Sequence, residues 1–319
     1  MPKTLQEYSE WLDERELMWP TPPEAVSANA TPFFKPLRGI RAVTWSVYGT
    51  LLRISEGKLL FSHPDRTQMK VALEKTIQEF KMWNNMDRKP GAPWAQMLEQ
   101  YTQLMQQQQM TDTRQKGDFP EFDSSRIWRK LLRRLAEKGY DYDMDFYGDP
   151  DEFSDKVAYF FHASLQGVEA APNALRALAA TSMSHVRQGL LSDAQSFTMV
   201  QMLRALNEQG TLPPLKELFS LDCLTLSFQQ GLRKPSKSFF QNCLDQFAEL
   251  GIGPKEVLHV SSRLADDLAV AKQAGMRTAL YAADKISLRA TKADMQNPEL
   301  RPDRLLTDLA QIRDILEIG

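Results

Sequence analysis

The feature that most constrains the fold is an alternation between apolar runs of strand length and longer segments with helical periodicity. Alternation of this kind is typical of a parallel sheet that is covered by helices. We therefore predict an α/β fold, a doubly wound parallel sheet of the Rossmann type. The strand-like runs lie at 42–47, 187–191, 222–226, 256–261, 277–281 and 304–306, and the helix-like segments lie at 195–208, 235–250, 264–275 and 307–317.

The segment between the first two predicted strands has helical periodicity of its own and is too long for a crossover loop. Apolar residues form one amphipathic stripe within 94–105 and another within 127–135. Two such stripes indicate helices that bury a shared core. We therefore predict a helical cap domain at 59–164, inserted into a core that consists of 40–58 and 165–319.

Shorter segments outside these patterns give three further predictions. Residues 4–18 have helical spacing and are followed by the proline-rich stretch 19–23, so 1–39 is predicted to be a helical arm with an extended linker. A Glu-Gly pair within 53–61 predicts a hairpin. The polar stretch 111–118 predicts an exposed loop.

Composition and charge exclude several classes of function. The chain has 39 basic and 41 acidic residues, and its net charge of −2 favours neither nucleic acid nor an anionic membrane as a partner. No apolar run has the length of a membrane span, and residues 1–16 lack the pattern of a secretory signal. Cys223 and Cys243 lack metal-ligand spacing and are too few for a disulfide framework. We expect a cytoplasmic protein.

The first candidate site lies where the first predicted strand ends. Residues 42–52 read AVTWSVYGTLL, a buried strand that runs into a glycine turn. This segment resembles the first motif of the haloacid dehalogenase-like hydrolases, an apolar strand followed by D-x-Y-G-T-L. Ser46 stands in the position of the nucleophilic aspartate, whereas Tyr48 and Thr50 fit the motif. The resemblance implies a hydrolase fold with a helical cap, but without its attacking carboxylate.

The second and third motifs of that family follow in order. Ser192 ends a predicted strand, where its hydroxyl can donate to a phosphoryl oxygen or can cap the next helix. Residues 226–240 resemble the family pattern S-x-x-x-G-x-x-K-P and place Lys234 in the position of the family's lysine. A lysine before a helix that starts with proline is a fixed positive charge. By resemblance, Thr50, Ser192 and Lys234 form the phosphate-binding shell.

The fourth motif departs from the family pattern at its first acid. Residues 257–267 resemble the segment in which phosphatase members bind magnesium, but Ser262 replaces the first aspartate, leaving Asp267 or its neighbour Asp266. Magnesium in proteins usually needs one or two carboxylates. With serine at both 46 and 262, we expect no cofactor and no metal site beyond weak Mg²⁺ binding.

A serine followed five positions later by an aspartate, as in Ser262 and Asp267, also resembles the metal-free dehalogenases of the family. Those enzymes still use the aspartate nucleophile, whereas this chain has Ser46. It also has Phe240 in the position of their tyrosine and Leu264 near the position of their asparagine. The haloacid dehalogenase reaction is therefore disfavoured.

Ser46 could act as a nucleophile only if a base activated its hydroxyl. Of the four histidines, His259 lies on the neighbouring predicted strand and is the candidate base. A histidine inside a strand is more often a core residue with satisfied hydrogen bonds, and the chain has no G-x-S-x-G elbow. The pairing of Ser46 with His259 is therefore disfavoured.

These patterns leave three functions open. The first is a catalytically degenerate family member that binds an anionic small molecule such as phosphate, or a protein partner. The second is an active hydrolase of a phosphate ester or haloacid that uses an unusual nucleophile or a water held by Asp267. The third is a structural or scaffold protein. The predicted catalytic positions are Ser46, Tyr48, Thr50, Lys234 and Asp267.

Overall fold

Ten strands are present in the computed structural model of the protein, which describes residues 1–86, 91–110 and 116–318. They are β1 (Ala42–Trp45), β2 (Leu52–Ile54), β3 (Phe119–Pro120), β4 (Val168–Ala170), β5 (Arg187–Ser192), β6 (Leu224–Leu226), β7 (Leu232–Arg233), β8 (Val257–Ser261), β9 (Arg277–Tyr281) and β10 (Arg304–Leu306). Six of them form a parallel sheet in the order β10-β9-β8-β1-β5-β6. The predicted parallel sheet is confirmed.

The helices in the described residues are α1 (Leu5–Asp13), α2 (Arg66–Glu79), α3 (Pro93–Gln109), α4 (Ser124–Ala136), α5 (Met144–Tyr147), α6 (Pro150–Leu165), α7 (Ala174–Ser182), α8 (Thr198–Asn207), α9 (Leu215–Leu218), α10 (Ser227–Gln230), α11 (Lys237–Glu249), α12 (Ala269–Gln273), α13 (Lys292–Gln296) and α14 (Ile312–Leu316). A π-helical turn over Leu264–Leu268 leads into α12. None of these helices is long and apolar enough to cross a membrane.

Helices cover both faces of the sheet, as a doubly wound fold requires. Successive residues of β1 point to opposite faces: Ala42 packs with α11 and α12, whereas Val43 packs with α7, α8 and α14. Because both faces are buried, these strands carry apolar residues on both sides instead of a strict alternation of apolar and polar residues. This explains why the strand runs are visible in the sequence.

The helices α2 to α6 form a cap with a separate apolar core. Both predicted stripes belong to that core, with Tyr101 of α3 and Trp128 of α4 fully buried in it. Tyr8 and Leu12 of α1 join the same cluster, so the arm packs on the cap. The loop predicted at 111–118 lies mostly outside the described residues.

The predicted hairpin over 53–61 is wrong. Strand β2 pairs in antiparallel fashion with β4, which returns from the cap, and Ser55–Gly57 form a 3₁₀ turn. The chain enters the cap beyond β2 and leaves it through β4, and the two connections run side by side. Strand β2 therefore forms with β4 the backbone hydrogen bonds that it would have formed within a hairpin.

The N-terminal linker runs across these two connections and along the edge of the sheet. An added Cβ on Gly167, just before β4, would lie 2.2 Å from the carbonyl carbon of Thr21. On β2, Arg53 donates a hydrogen bond to the carbonyl of Pro23. Further along, Phe33 and Leu305 of β10 exchange backbone hydrogen bonds of 2.8 and 2.9 Å. The arm therefore contacts the cap, both connections and the core.

The cap also touches the core through a two-stranded ribbon. Strand β3 of the cap pairs with β7, which directly precedes Lys234. The ribbon is extended by the amide of Glu121, which donates to the carbonyl of Gly231 at 3.0 Å, and by the amide of Phe119, which donates to Ser236 Oγ at 2.8 Å. The ribbon fixes the cap against the loop that carries Lys234.

Candidate functional site

The carboxyl ends of β8, β1 and β5 meet at one edge of the sheet, the place where open α/β folds bind ligands. Ser46 follows β1, Ser192 ends β5 and Ser262 follows β8. A cavity of about 480 Å³ lies between this edge and the cap. Its wall includes Ser46, Tyr48, Lys58, Phe61, Glu121, Phe122, Ser192, Asp193, Arg233, Lys234, Arg263 and Asp266.

The turn from Ser46 to Thr50 depends on glycine. Gly49 has a φ of +82°, and a Cβ there would lie 2.4 Å from Ser262 Oγ and 2.8 Å from the carbonyl oxygen of Gly57. Ser262 donates its amide to Thr50 Oγ1 at 3.1 Å, and its own Oγ is buried with no hydrogen-bond partner in the described residues. The Ser262 side chain therefore packs against the turn, and the Thr50 hydroxyl hydrogen-bonds to the Ser262 amide. Neither group lines the cavity.

Lys234 occupies the base of the cavity in a buried ion pair. Its Nζ donates to Asp267 Oδ2 at 2.6 Å and to Ser46 Oγ at 3.3 Å, and the side chains of both Lys234 and Asp267 are 0% exposed. Burial acts to raise the pKa of Asp267, but the charge of Lys234, the hydrogen bond from His259 and the charge of Arg263 outweigh it and hold that pKa well below its usual range. Asp267 is therefore a carboxylate that lies behind Lys234.

His259 is part of this network but does not reach Ser46. Its Nε2 lies 2.8 Å from Asp267 Oδ1, and its Nδ1 lies 2.9 Å from Thr44 Oγ1. Burial lowers the pKa of His259, and the Lys234 ammonium adds to this against the opposing effect of Asp267. The imidazole is therefore neutral, with Nε2 donating to Asp267. The structure does not form the Ser46–His259 pair.

Ser192 and Tyr48 line the cavity with their hydroxyls already engaged. Ser192 Oγ accepts from the amide of Val47 at 2.9 Å and donates to the carbonyl of Asp193 at 2.8 Å. The Tyr48 hydroxyl contacts Thr198 Oγ1 at 3.0 Å and donates to Gln201 Oε1 at 2.8 Å. Burial raises the pKa of Tyr48, so it stays a neutral phenol.

The structure brings together the predicted residues that line the cavity, namely Ser46, Tyr48, Ser192 and Lys234. Thr50 and Asp267 do not line the cavity. Thr50 Oγ1 accepts from the amide of Ser262, and Asp267 accepts from Lys234 Nζ. Sequence reasoning missed Asp193 and Arg263, although each directly follows a serine that it had placed at a strand end. Both residues could have been predicted as the neighbours of strand-end serines, because ligands bind at the carboxyl ends of the strands.

Asp193 connects the two cations of the site. Its Oδ1 accepts from the backbone amide of Lys234 at 2.8 Å, and its Oδ2 accepts from Arg263 Nη1 at 2.7 Å. Arg263 also pairs with Asp266. Burial acts to lower the pKa of Arg263, but Asp193 and Asp266 outweigh it and raise that pKa above its usual value. Arg263 is therefore a permanent cation.

The cap contributes a carboxyl group through Glu121. Its Oε1 accepts from the amide of Phe122 at 2.7 Å, and its Oε2 is buried with no hydrogen-bond partner in the described part of the chain. Burial, reinforced by the charge of Asp193, raises the pKa of Glu121 to about 8. Sequence reasoning had no signal for this residue, because its position depends on how the cap closes.

The residues present do not fit a magnesium ion. In the described ranges, no three or more His, Cys, Asp or Glu side chains are grouped so as to hold a metal. Ser262 Oγ faces Gly49, and the Asp267 oxygens already accept from Lys234, His259 and Ser261. Hard cations need several free oxygen ligands, usually with carboxylates among them.

Comparisons with known proteins agree with this fold. A family model described as HAD-hydrolase-like, where HAD stands for haloacid dehalogenase, matches residues 231–312 and so includes Lys234 and Asp267. Among solved structures, a 2-haloacid dehalogenase from Pseudomonas syringae pv. Tomato DC3000 is 20% identical with a TM-score of 0.53, over 87% of this chain and 98% of that chain. This similarity shows the fold.

A HAD phosphatase from Thermococcus onnurineus is 14% identical with a TM-score of 0.46, over 86% of this chain and 96% of that chain. A search of curated protein sequences finds no match.

Proposed function

Because residues 231–312 match a HAD-hydrolase-like family model and the chain shares the fold of a 2-haloacid dehalogenase, we propose that it binds an anionic small molecule in the cavity without the covalent hydrolysis typical of the haloacid dehalogenase-like hydrolases. The observation that carries this proposal is the position of Ser46. It lies at the end of β1, where the resemblance places the nucleophilic aspartate, and its Oγ is 3.3 Å from Lys234 Nζ. The lysine is retained, and the attacking carboxylate is replaced by a hydroxyl.

The neighbours of Ser46 support the loss of catalysis. A serine nucleophile needs a base that accepts its proton in the transition state. The Lys234 ammonium is a donor to Asp267 at 2.6 Å, and the neutral His259 donates to the same carboxylate. Neither group is therefore free to deprotonate Ser46.

The cavity itself supports ligand binding. Its volume of about 480 Å³ lies within the range of small-molecule sites. Three basic side chains besides Lys234 line it, namely Lys58, Arg233 and Arg263. Buried or partly buried cations attract anions more strongly than exposed ones because water screens them less.

An activity assay combined with thermal unfolding tests the proposal. We expect no hydrolysis of p-nitrophenyl phosphate or 2-chloropropionate above the buffer rate, with or without magnesium. Inorganic phosphate is expected to raise the unfolding temperature, because a ligand that binds the folded state stabilises it by mass action. Turnover that the Ser46→Ala variant abolishes would contradict the proposal.

Two other functions make different predictions in the same experiment. A hydrolase that uses a water on Asp267 is disfavoured, because that side chain is 0% exposed and three donors already contact it. A purely structural role predicts no phosphate-dependent shift of the unfolding temperature. A shift that the Lys234→Met variant loses would favour ligand binding over the structural role.

Anion affinity is expected to fall as the pH rises through about 8. The pKa of Glu121 is raised to about 8, mainly by burial and then by Asp193, and Arg233 opposes this only weakly. Below that pH the carboxyl is neutral, and above it a negative charge appears in the cavity wall. Repulsion between this charge and an anion in the same cavity should weaken binding by roughly ten-fold or more.

Sulfate is the suitable probe for this prediction, because it stays a dianion over the whole range. Titrations at about pH 7 and pH 9 should show the loss in the natural protein and none in Glu121→Gln, whose side chain cannot ionise. Equal pH dependence in both proteins would show that Glu121 is not the titrating group.

A further inference from the structure

The cavity holds one buried cation outside the positions matched to the family motifs. Arg263 lines the cavity together with Ser46 and Lys234, and its side chain is 6% exposed. It directly follows Ser262, the position that lacks the family's metal-binding acid and whose hydroxyl is packed against Gly49. A permanent positive charge therefore lies beside the point where the carboxylate for a metal is missing.

Arg263 still has N–H groups with which it can bind a ligand. Its Nε and Nη2 donate to Asp266, and its Nη1 donates to Asp193 Oδ2 at 2.7 Å. A guanidinium has five N–H donors. Three are used in these bonds, so two have no acceptor among the residues that the structure describes.

The two carboxylates also fix the position of the guanidinium. Asp193 binds Arg263 with one oxygen and the backbone amide of Lys234 with the other, at 2.7 and 2.8 Å. The Asp193 side chain therefore fixes the Arg263 guanidinium relative to the backbone of Lys234, whose own ammonium is fixed by Asp267. A fixed pair of donors loses little conformational entropy when it binds an anion.

We infer that Arg263 is the anion receptor of the cavity, binding an oxyanion through its two remaining N–H groups in place of a metal ion. The inference rests on the proposed function and narrows its ligand to a phosphate-type oxyanion. A planar guanidinium can offer two parallel N–H groups to two oxygens of such an anion, whereas the Lys234 ammonium acts as a point charge.

Calorimetric titration of the full-length chain with inorganic phosphate in excess EDTA tests the inference. The natural protein should bind phosphate without metal, and added magnesium should not increase the affinity. Arg263→Lys keeps the charge but loses the planar donors, and we expect its affinity to fall about ten-fold.

Asp266→Asn should act in the opposite direction. It removes a negative charge that is 46% exposed and weakens the competition for the guanidinium, so phosphate affinity should rise about three-fold. A merely structural ion pair would lower stability in this variant without increasing affinity. Arg277→Lys is the matched control, since Arg277 also pairs with an aspartate, Asp303, but does not line the cavity. Its affinity should stay within about two-fold.

The inference is overturned if Arg263→Lys and Asp266→Asn both bind phosphate as the natural protein does, or if binding requires magnesium. Urea unfolding shows whether each variant is folded. If Arg263→Lys does not fold, the phosphate affinity of Asp266→Asn still tests the inference. If the natural protein binds neither phosphate nor sulfate, the proposed function itself fails. The two failures are therefore distinguishable.

Discussion

Replacing Lys234 by methionine is expected to lower the free energy of unfolding by about 3–5 kcal/mol, because it leaves a buried carboxylate without its counter-charge. Lys234 and Asp267 are both 0% exposed at the side chain, and their atoms are 2.6 Å apart. His259 and Ser261 would still donate to Asp267, but neither carries a full charge. Urea unfolding at neutral pH measures the effect.

Two further variants show whether the buried charge is the cause. Lys58→Met changes an exposed lysine of the same cavity and should alter the free energy of unfolding by less than about 1 kcal/mol. Combining Lys234→Met with Asp267→Asn removes the unpaired charge and should recover part of the loss. A loss below about 1 kcal/mol in Lys234→Met alone would show that the pair does not stabilise the fold.

Replacing Gly49 by alanine is expected to destabilise the protein by about 2–5 kcal/mol, combining the cost of a left-handed backbone with overpacking. The φ of Gly49 is +82°, and a Cβ would lie 2.4 Å from Ser262 Oγ and 2.8 Å from the backbone oxygen of Gly57. The second contact is with backbone and cannot be relieved by a side-chain rotation. Thermal and urea unfolding measure the loss.

Gly39 offers a matched control for this variant. Its φ of +81° is nearly the same, but an added Cβ would meet nothing within 4 Å. Gly39→Ala should therefore cost only the backbone term of about 1–2 kcal/mol. Equal losses in the two variants would show that the packing of the Ser46–Thr50 turn against Ser262 contributes nothing.

The sheet could be predicted from the sequence because its strands are buried on both faces. Runs such as 42–47 and 277–281 are rich in apolar residues and are separated by helices, and the parallel order then brings the strand ends together. The meeting of Ser46, Ser192 and Lys234 follows from that topology and from the family motifs.

The directions of individual side chains could not be predicted. Thr50 was expected in the phosphate-binding shell, but its hydroxyl accepts from the backbone amide of Ser262, whose side chain packs against Gly49. Glu121 reaches the cavity only because β3 pairs with β7, a contact between distant segments that no local pattern encodes. The hairpin failed for the same reason, since the partner of β2 is β4.

The position of the linker over Gly167 has a consequence for ligand exchange. The cap is joined to the core by two connections, and the linker packs against Gly167 beside one and hydrogen-bonds to Arg53 on the other. If the cap rotates about these connections, residues 1–39 must either move with it or detach. Any widening of the cavity by such a rotation would therefore involve the N-terminal segment as well as the cap.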